Sequence, residues 1–146
     1  MHDKKILNEQ LISSTVEIAK LAGEGITEIY NSDFDYQLKK DLSPITAADN
    51  LSHIIITKRL KILTPEIPIL SEENCNIPYK IRSQWSQYWL VDPLDGTKEF
   101  IKRNGEFTVN IALIENNTPI MGAIHLPVTN ETYWGSQLNG SFYSNG

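Results

Sequence analysis

The sequence predicts an α+β fold, two helices followed by a mostly antiparallel sheet. Apolar residues recur at helical steps near the N-terminus and again beyond residue 46. Phe107, Val109, Ile111 and Leu113 then alternate with Thr108, Asn110 and Ala112, the two-residue period of a half-buried strand. Turn-forming pairs, Asn116-Asn117 and Asn139-Gly140, divide the apolar runs that follow. A length of 146 residues suits one domain.

The elements follow in order. Leu7, Leu11, Ile18, Ala22 and Ile29 place an amphipathic helix over roughly residues 5–30, weakened in its second half by Gly23 and Gly25. Residues 31–44 read as a polar, mobile connector. A second helix is expected from Thr46, because Thr46-Ala47-Ala48-Asp49 has the spacing of a capping box. Leu51, Ile55, Ile62 and Leu63 would form its buried stripe and Pro65 would close it, although the Ile54-Ile55-Ile56 run also suits a strand. Ile67 to Leu70 reads as a buried strand ending at Ser71-Glu72-Glu73. Tyr88 to Val91 reads as another, ending at Asp92-Pro93, with a short helix over Thr97 to Ile101. The alternating strand from Phe107, a loop over Glu115 to Pro119, and strands at Ile120 to Leu126, Thr132 to Gly135 and Ser141 to Tyr143 complete a meander. Asn145-Gly146 is a further turn signal, so a continuing sheet is expected beyond it.

Composition narrows the function classes. Thirteen Lys plus Arg against eighteen Asp plus Glu leaves a net charge of -5, which argues against a broad nucleic-acid-binding face. A phosphate ligand stays open, because a metal ion can supply positive charge locally. A single cysteine, Cys75, excludes an intramolecular disulfide and fits a reducing compartment. The N-terminus shows no apolar signal region, and no stretch approaches the roughly 18–20 apolar residues of a spanning helix. The three Asn-x-Ser/Thr matches, at Asn116, Asn130 and Asn139, read as turn chemistry.

Asp92-Pro93-Leu94-Asp95-Gly96-Thr97 carries the most chemistry. Two carboxylates lie three residues apart directly after an apolar strand, and Gly96 permits a tight turn. A hard divalent cation such as Mg²⁺ takes oxygen ligands, which this turn can offer from both Asp side chains and the Leu94 carbonyl. A helix starting at Thr97 would turn free N–H groups toward an anion. The plainer alternative is a turn whose aspartates merely cap the helix. Glu72 and Glu73 also follow an apolar strand, and adjacent like charges are costly to hold together unless they are exposed or metal-bound; a solvated turn is the plainer reading. Asp49 is a further acid, which the capping box alone would explain. Walker A, G-x-G-x-x-G and G-x-S-x-G patterns are absent. His2, His53 and His125 lack metal-ligand spacing and read as structural, Cys75 as incidental, and Trp85, Trp89 and Trp134 as core or rim.

An acid, an acid pair and then D-P-x-D-G-T resemble the lithium-sensitive, Mg²⁺-dependent inositol monophosphatase superfamily. The run from Trp89 to Ile114, with Ser43 to Asp49 and Leu70 to Glu73, is similar to its 3′(2′),5′-bisphosphate nucleotidase branch. The resemblance covers essentially the whole chain. It implies the N-terminal half of a layered αβαβα fold, with residues 1–146 as the metal-binding domain. It implies that Glu72, Asp92 and the Leu94 carbonyl hold a first Mg²⁺, that Asp92 and Asp95 hold a second, and that Glu73 supports a weaker one. Asp49 and Thr97 match the pair that orients and deprotonates a metal-bound water. Glu72, Leu94, Asp95, Gly96 and Thr97 would meet the substrate phosphate. The implied reaction takes adenosine 3′,5′-bisphosphate to AMP and phosphate, recycling a by-product of sulfate assimilation. The implied setting is cytoplasmic, at most peripheral at the cytoplasmic face of the inner membrane, with a small nucleotide as partner.

Family members continue for about another hundred residues, which carry a further Trp-Asp metal ligand and most of the adenosine pocket. The resemblance therefore implies a fragment or truncated product lacking its C-terminal domain, with Glu72, Asp92 and Asp95 in place but activity weak or absent. Exposed strand edges would favour aggregation or a homodimer. Two further readings stay open: a sister phosphatase acting on inositol or fructose phosphates, and a non-catalytic remnant or assembly partner.

Overall fold

The computed structural model describes residues 6–32 and 44–146. Apart from Asn31, Ser32 and Pro44, the connector expected at 31–44 lies outside the described residues, as does His2. Two long helices, α1 (Glu9–Tyr30) and α2 (Pro44–Leu63), precede β1 (Ile69–Ser71), the short α3 (Tyr79–Arg82), β2 (Gln87–Asp95), the short α4 (Thr97–Lys102), and then β3 (Thr108–Glu115), β4 (Thr118–Leu126), β5 (Glu131–Ser136) and β6 (Gly140–Asn145). The expected α+β order is present.

α1 starts later than its apolar pattern suggested. Asn8 is the N-cap, its side-chain oxygen accepting from the Leu11 amide at 2.9 Å. Leu11, Ile12, Ile18, Ala19, Ala22 and Ile26 form its buried face. Both glycines sit where another element comes close. A Cβ on Gly23 would lie 2.4 Å from His125 Cδ2, and one on Gly25 would lie 3.0 Å from Ile55.

α2 departs from expectation in two ways. It begins at Pro44, so Thr46 is its third residue rather than its N-cap, and the capping-box reading of Asp49 fails. Its fully buried stripe is Ala48, Ser52, Ile56 and Leu60, each 0% exposed, at four-residue steps. Leu51 and Ile55 instead flank Gly25 of α1, and Ile62 is 81% exposed. The phase moved because a small residue and a serine lie against the sheet, where the apolar count alone would not put them.

The six strands form one sheet in sequence order. β1 and β2 are parallel, and every other neighbouring pair is antiparallel. The two long helices cover one face. Trp89, Val91, Val109, Ile111, Leu113, Met121 and Ala123 point into the core beneath them. The opposite face carries Leu90, Ala112, Gly122 and Gly135 in one cross-strand row, and Asp92, Asn110, Ile124 and Tyr133 in the next. The hairpin turns use the expected asparagines: Asn116 and Asn117 both have positive φ (47° and 62°), as a two-residue turn between twisted strands requires. Tyr30, Phe107 and Phe100 of α4 pack with their ring planes steeply inclined and ring centroids 4.9–5.2 Å apart.

Candidate metal centre

The parallel pair brings the first two acids together. Ser71 lies opposite Val91, so Glu72 leaves β1 at the height where Asp92 follows on β2. The Glu72 amide donates to the Val91 carbonyl at 3.0 Å, holding the turn against β2. Parallel strands point their carboxyl ends the same way, which puts both acids at one end of the sheet.

β2 does not end at Asp92-Pro93 as the sequence suggested. It continues to Asp95 through a bulge, where Asp92 pairs with Asn110 and Asp95 with Thr108. Residues three apart on a regular strand face opposite sides. Here the bulge adds one residue to β2 alone, so Asp95 returns to the face that carries Asp92. Asn110 confirms this by donating from Nδ2 to Asp95 Oδ2 at 3.3 Å. Pro93 and Leu94 fill the bulge and are buried.

Gly96 follows with φ 98° and ψ 47° and caps α4. A Cβ there would lie 3.0 Å from the Glu106 carbonyl and 3.2 Å from Phe107 Cα, so this turn admits glycine alone without rearrangement. Thr97 is the first residue of α4 and is exposed.

Asp49, the sixth residue of α2, completes the cluster. Its carboxyl shares a hydrogen bond with Glu73, and the carboxyl of Asp92 shares one with Glu72. Burial raises Asp49 from 3.8 to about 8, and the Glu73 hydrogen bond and the charges of Glu73, Asp92 and Glu72 add to the shift. Burial also raises Asp92 from 3.8 to about 7, followed by the Glu72 hydrogen bond and the charges of Glu72 and Asp95, while the Leu94 amide opposes the shift. Among the described residues two buried side-chain oxygens lack a hydrogen-bond partner, Asp49 Oδ1 and Asn110 Oδ1. Carboxyls that must share protons and oxygens left unpaired are the marks of a site suited to a hard cation.

The acids stand as two pairs. Among the described residues no three His, Cys, Asp or Glu side chains form a group that could hold a metal ion. A full oxygen shell would therefore draw on main-chain carbonyls, hydroxyls or water beside them. On the open face, an apolar groove of about 830 Å³ reaches this cluster at Glu72, Asp92 and Asn110. Cys75 is an exposed free thiol at its margin. His125 is buried and bonds to Thr132 Oγ1 at 2.9 Å, a structural role as expected. Among the described residues no helix is long and apolar enough to cross a membrane.

Sequence reasoning gave Ser52 and Asn110 no role here and read His53 as structural. Only Asn110 left a trace, as a polar residue opposite D-P-x-D in an otherwise apolar alternation.

Known proteins resemble the chain over nearly its whole length. The profile of the inositol monophosphatase family matches residues 7–146. The 3′(2′),5′-bisphosphate nucleotidase CysQ of Aggregatibacter actinomycetemcomitans is 43% identical over 137 residues, covering 94% of this chain and 51% of the relative. The protein of the same name from Salmonella typhimurium is 47% identical over 129 residues, covering 87% and 52%. The crystal structure of CysQ from Bacteroides thetaiotaomicron matches with a TM-score of 0.88 and 42% identity, over 97% of this chain and 51% of that one. The chain thus spans about half the length of the curated relatives it matches.

Proposed function

Because the chain belongs to the inositol monophosphatase family, we propose that its acid cluster is the magnesium-binding part of a phosphomonoesterase that converts adenosine 3′,5′-bisphosphate to AMP and phosphate. The observation that carries this reading is the pairing of Glu72 with Asp92 and of Asp49 with Glu73 through shared hydrogen bonds, with Asp92 and Asp49 raised in pKa. The choice of a nucleotide substrate rests on the name of the relatives.

In this reading Glu72, Asp92 and the Leu94 carbonyl would hold one ion, and Asp92 with Asp95 a second. Magnesium held there would lower the pKa of a water and offset the charge that builds on the phosphoryl and leaving oxygens. Asp49 would accept the proton of the attacking water, and the Thr97 hydroxyl would orient that water. Burial, then the Glu73 hydrogen bond and the neighbouring acids, raise Asp49 to about 8, so it would act as a base near neutral pH only where a nearby cation favours its charged form. Gly96 and Thr97 meet the substrate phosphate together with Glu72, Leu94 and Asp95. Asn110 fixes Asp95 from the neighbouring strand. Residues 1–146 act as the metal-binding domain in a cytoplasmic setting, and the partner is a small nucleotide.

One observation favours a second reading, a non-catalytic remnant or assembly partner: the acids form pairs and no three-acid group among the described residues. A single assay separates the two. The 146-residue chain is incubated with adenosine 3′,5′-bisphosphate and Mg²⁺ while AMP and phosphate are followed, and Mg²⁺ binding is measured by calorimetry. Slow release of AMP and phosphate in equal amounts, well below that of a full-length relative and lost in Asp95→Asn, is expected. Saturable Mg²⁺ binding without turnover would support the second reading, and no binding at all would overturn both the site and the activity.

A further inference from the structure

Ser52 and His53 lie outside the acid cluster, yet each reaches from α2 to one of the two strand ends that carry it. α2 presents Asp49, Ser52, His53 and Ile56 along one side, at the three- and four-residue steps that make helix side chains neighbours. Ser52 is 0% exposed, and its Oγ donates to the Pro93 carbonyl at 2.7 Å. Pro93 is the residue that enters the bulge between Asp92 and Asp95, where ladder bonding is interrupted and a carbonyl needs another donor. His53 Nδ1 and Ser71 Oγ share a hydrogen bond of 2.9 Å. Ser71 is 2% exposed and directly precedes Glu72. Packing alone would be served by alanine at position 52 and an aliphatic side chain at position 53, so the polar groups answer a different demand.

That demand is electrostatic. Carboxylates gathered at one sheet end repel one another and would spread apart when no cation lies between them. Two hydrogen bonds from adjacent residues of one helix resist this. One fixes Asp49 relative to Asp92 through Pro93, the other fixes Asp49 relative to Glu72 through Ser71.

We propose that Ser52 and His53 are positioning residues, whose paired hydrogen bonds from α2 to Pro93 and Ser71 set the spacing of Asp49, Asp92 and Glu72 that magnesium requires. The proposal rests on the magnesium reading above. Magnesium tolerates little departure from its preferred geometry, and residues that orient ligands typically change metal affinity 10–100-fold, here about tenfold or more per strut.

The test uses the 146-residue chain and Mg²⁺ alone as probe. Calorimetric affinity is measured for Ser52→Ala, His53→Leu and His53→Asn, and hydrogen exchange of the Glu72 amide is followed in the metal-free chain. Ser52→Ala and His53→Leu each weaken Mg²⁺ binding by about tenfold or more. His53→Asn, which keeps a hydrogen-bonding group near the Nδ1 position, restores most of it. His53→Leu also speeds exchange of the Glu72 amide while amides in the middle of α1 stay protected. Should His53→Leu fail to fold, Ser71→Ala removes the same bond. Unchanged affinity in both strut variants overturns the proposal. If the unsubstituted chain gives no saturable Mg²⁺ heat, the magnesium reading falls, and exchange then decides the struts: equal protection of Glu72 in His53→Leu overturns them as well, and faster exchange upholds them.

Discussion

Glu72 and Asp92 share a hydrogen bond across the ends of two parallel strands. Neighbouring carboxylates have this contact only when a proton or a cation lies between them, because two bare charges at that range repel. The same holds for Asp49 and Glu73. The site is therefore a place where protons and cations compete, and two predictions follow from the sign of that competition.

The first concerns stability without metal. Asp49 and Asp92 both bind protons more tightly folded than unfolded, since their pKa values rise from 3.8 to about 8 and about 7. Each contributes stability that is complete below 3.8 and is lost as pH rises, finishing near 7 for Asp92 and near 8 for Asp49. The metal-free melting temperature should fall by a few degrees between about pH 4 and about pH 8 from these groups, a modest change because both acids are half exposed. Asp92→Asn should flatten the part of the slope below about pH 7. Thermal melts in a chelator across that range check this, and a rising profile would contradict it.

The second concerns cation binding. A cation entering the cluster must displace the shared protons, so Mg²⁺ binding should release protons below about pH 7 and release almost none at about pH 9. Apparent affinity should rise across the same interval. Calorimetry in buffers of different ionisation enthalpy measures the proton count directly. Equal heats in all buffers at neutral pH would show that the two carboxyl pairs carry no proton.

Much of this arrangement could be read from the chain, and the remainder has physical reasons for being hidden. The alternation from Phe107 to Leu113 is local and marked β3 plainly. D-P-x-D-G-T and Glu72-Glu73 identified four of the acids at their strand ends. The parallel pairing of β1 with β2 was invisible because it depends on partners far apart in sequence, and short apolar runs do not state their direction. The bulge after Asp92 was misread as a strand end for a related reason. Pro93 cannot donate to a ladder and so looks like a terminus, although a bulge tolerates it. Ser52 escaped because a buried serine on a helix resembles a solvent-facing one until its partner, the Pro93 carbonyl, is known.

The third prediction separates conformational strain from crowding at glycine. Gly96 and Gly140 both have positive φ (98° and 84°), but only Gly96 has backbone atoms where a Cβ would go. Gly140→Ala should cost about 1 kcal/mol, the left-handed penalty alone. Gly96→Ala should cost more, about 2–3 kcal/mol, and should shift α4 away from β3 because the Glu106 carbonyl and Phe107 Cα cannot rotate aside. Denaturant unfolding of the two variants gives the comparison, and equal losses would mean that the α4 turn yields freely. Any such shift also displaces Thr97, so Mg²⁺-dependent turnover should suffer in Gly96→Ala and not in Gly140→Ala.

The fourth prediction concerns how β2 is held beneath α2. Trp89 is 0% exposed, and its indole Nε1 donates to Thr64 Oγ1 at 2.9 Å, just beyond the end of α2. The Thr64 hydroxyl donates in turn to the Leu60 carbonyl at 3.2 Å. One hydroxyl thus closes the helix and gives a buried indole its only kind of partner, an acceptor. Thr64→Val keeps the volume and removes that acceptor, leaving the Trp89 N–H without one. The loss should be about 1–3 kcal/mol, the cost of a buried unsatisfied donor. Thr64→Ser keeps the acceptor, so it should lose only what the missing methyl contributes. Trp89 lies three residues before Asp92, on the face that packs under the helices. A displaced indole should therefore reach the carboxyl cluster, and Thr64→Val should weaken Mg²⁺ binding while Thr64→Ser leaves it near its original value. Urea unfolding and calorimetry on the same two variants check both parts. A valine variant as stable as the serine variant would show that water reaches the indole.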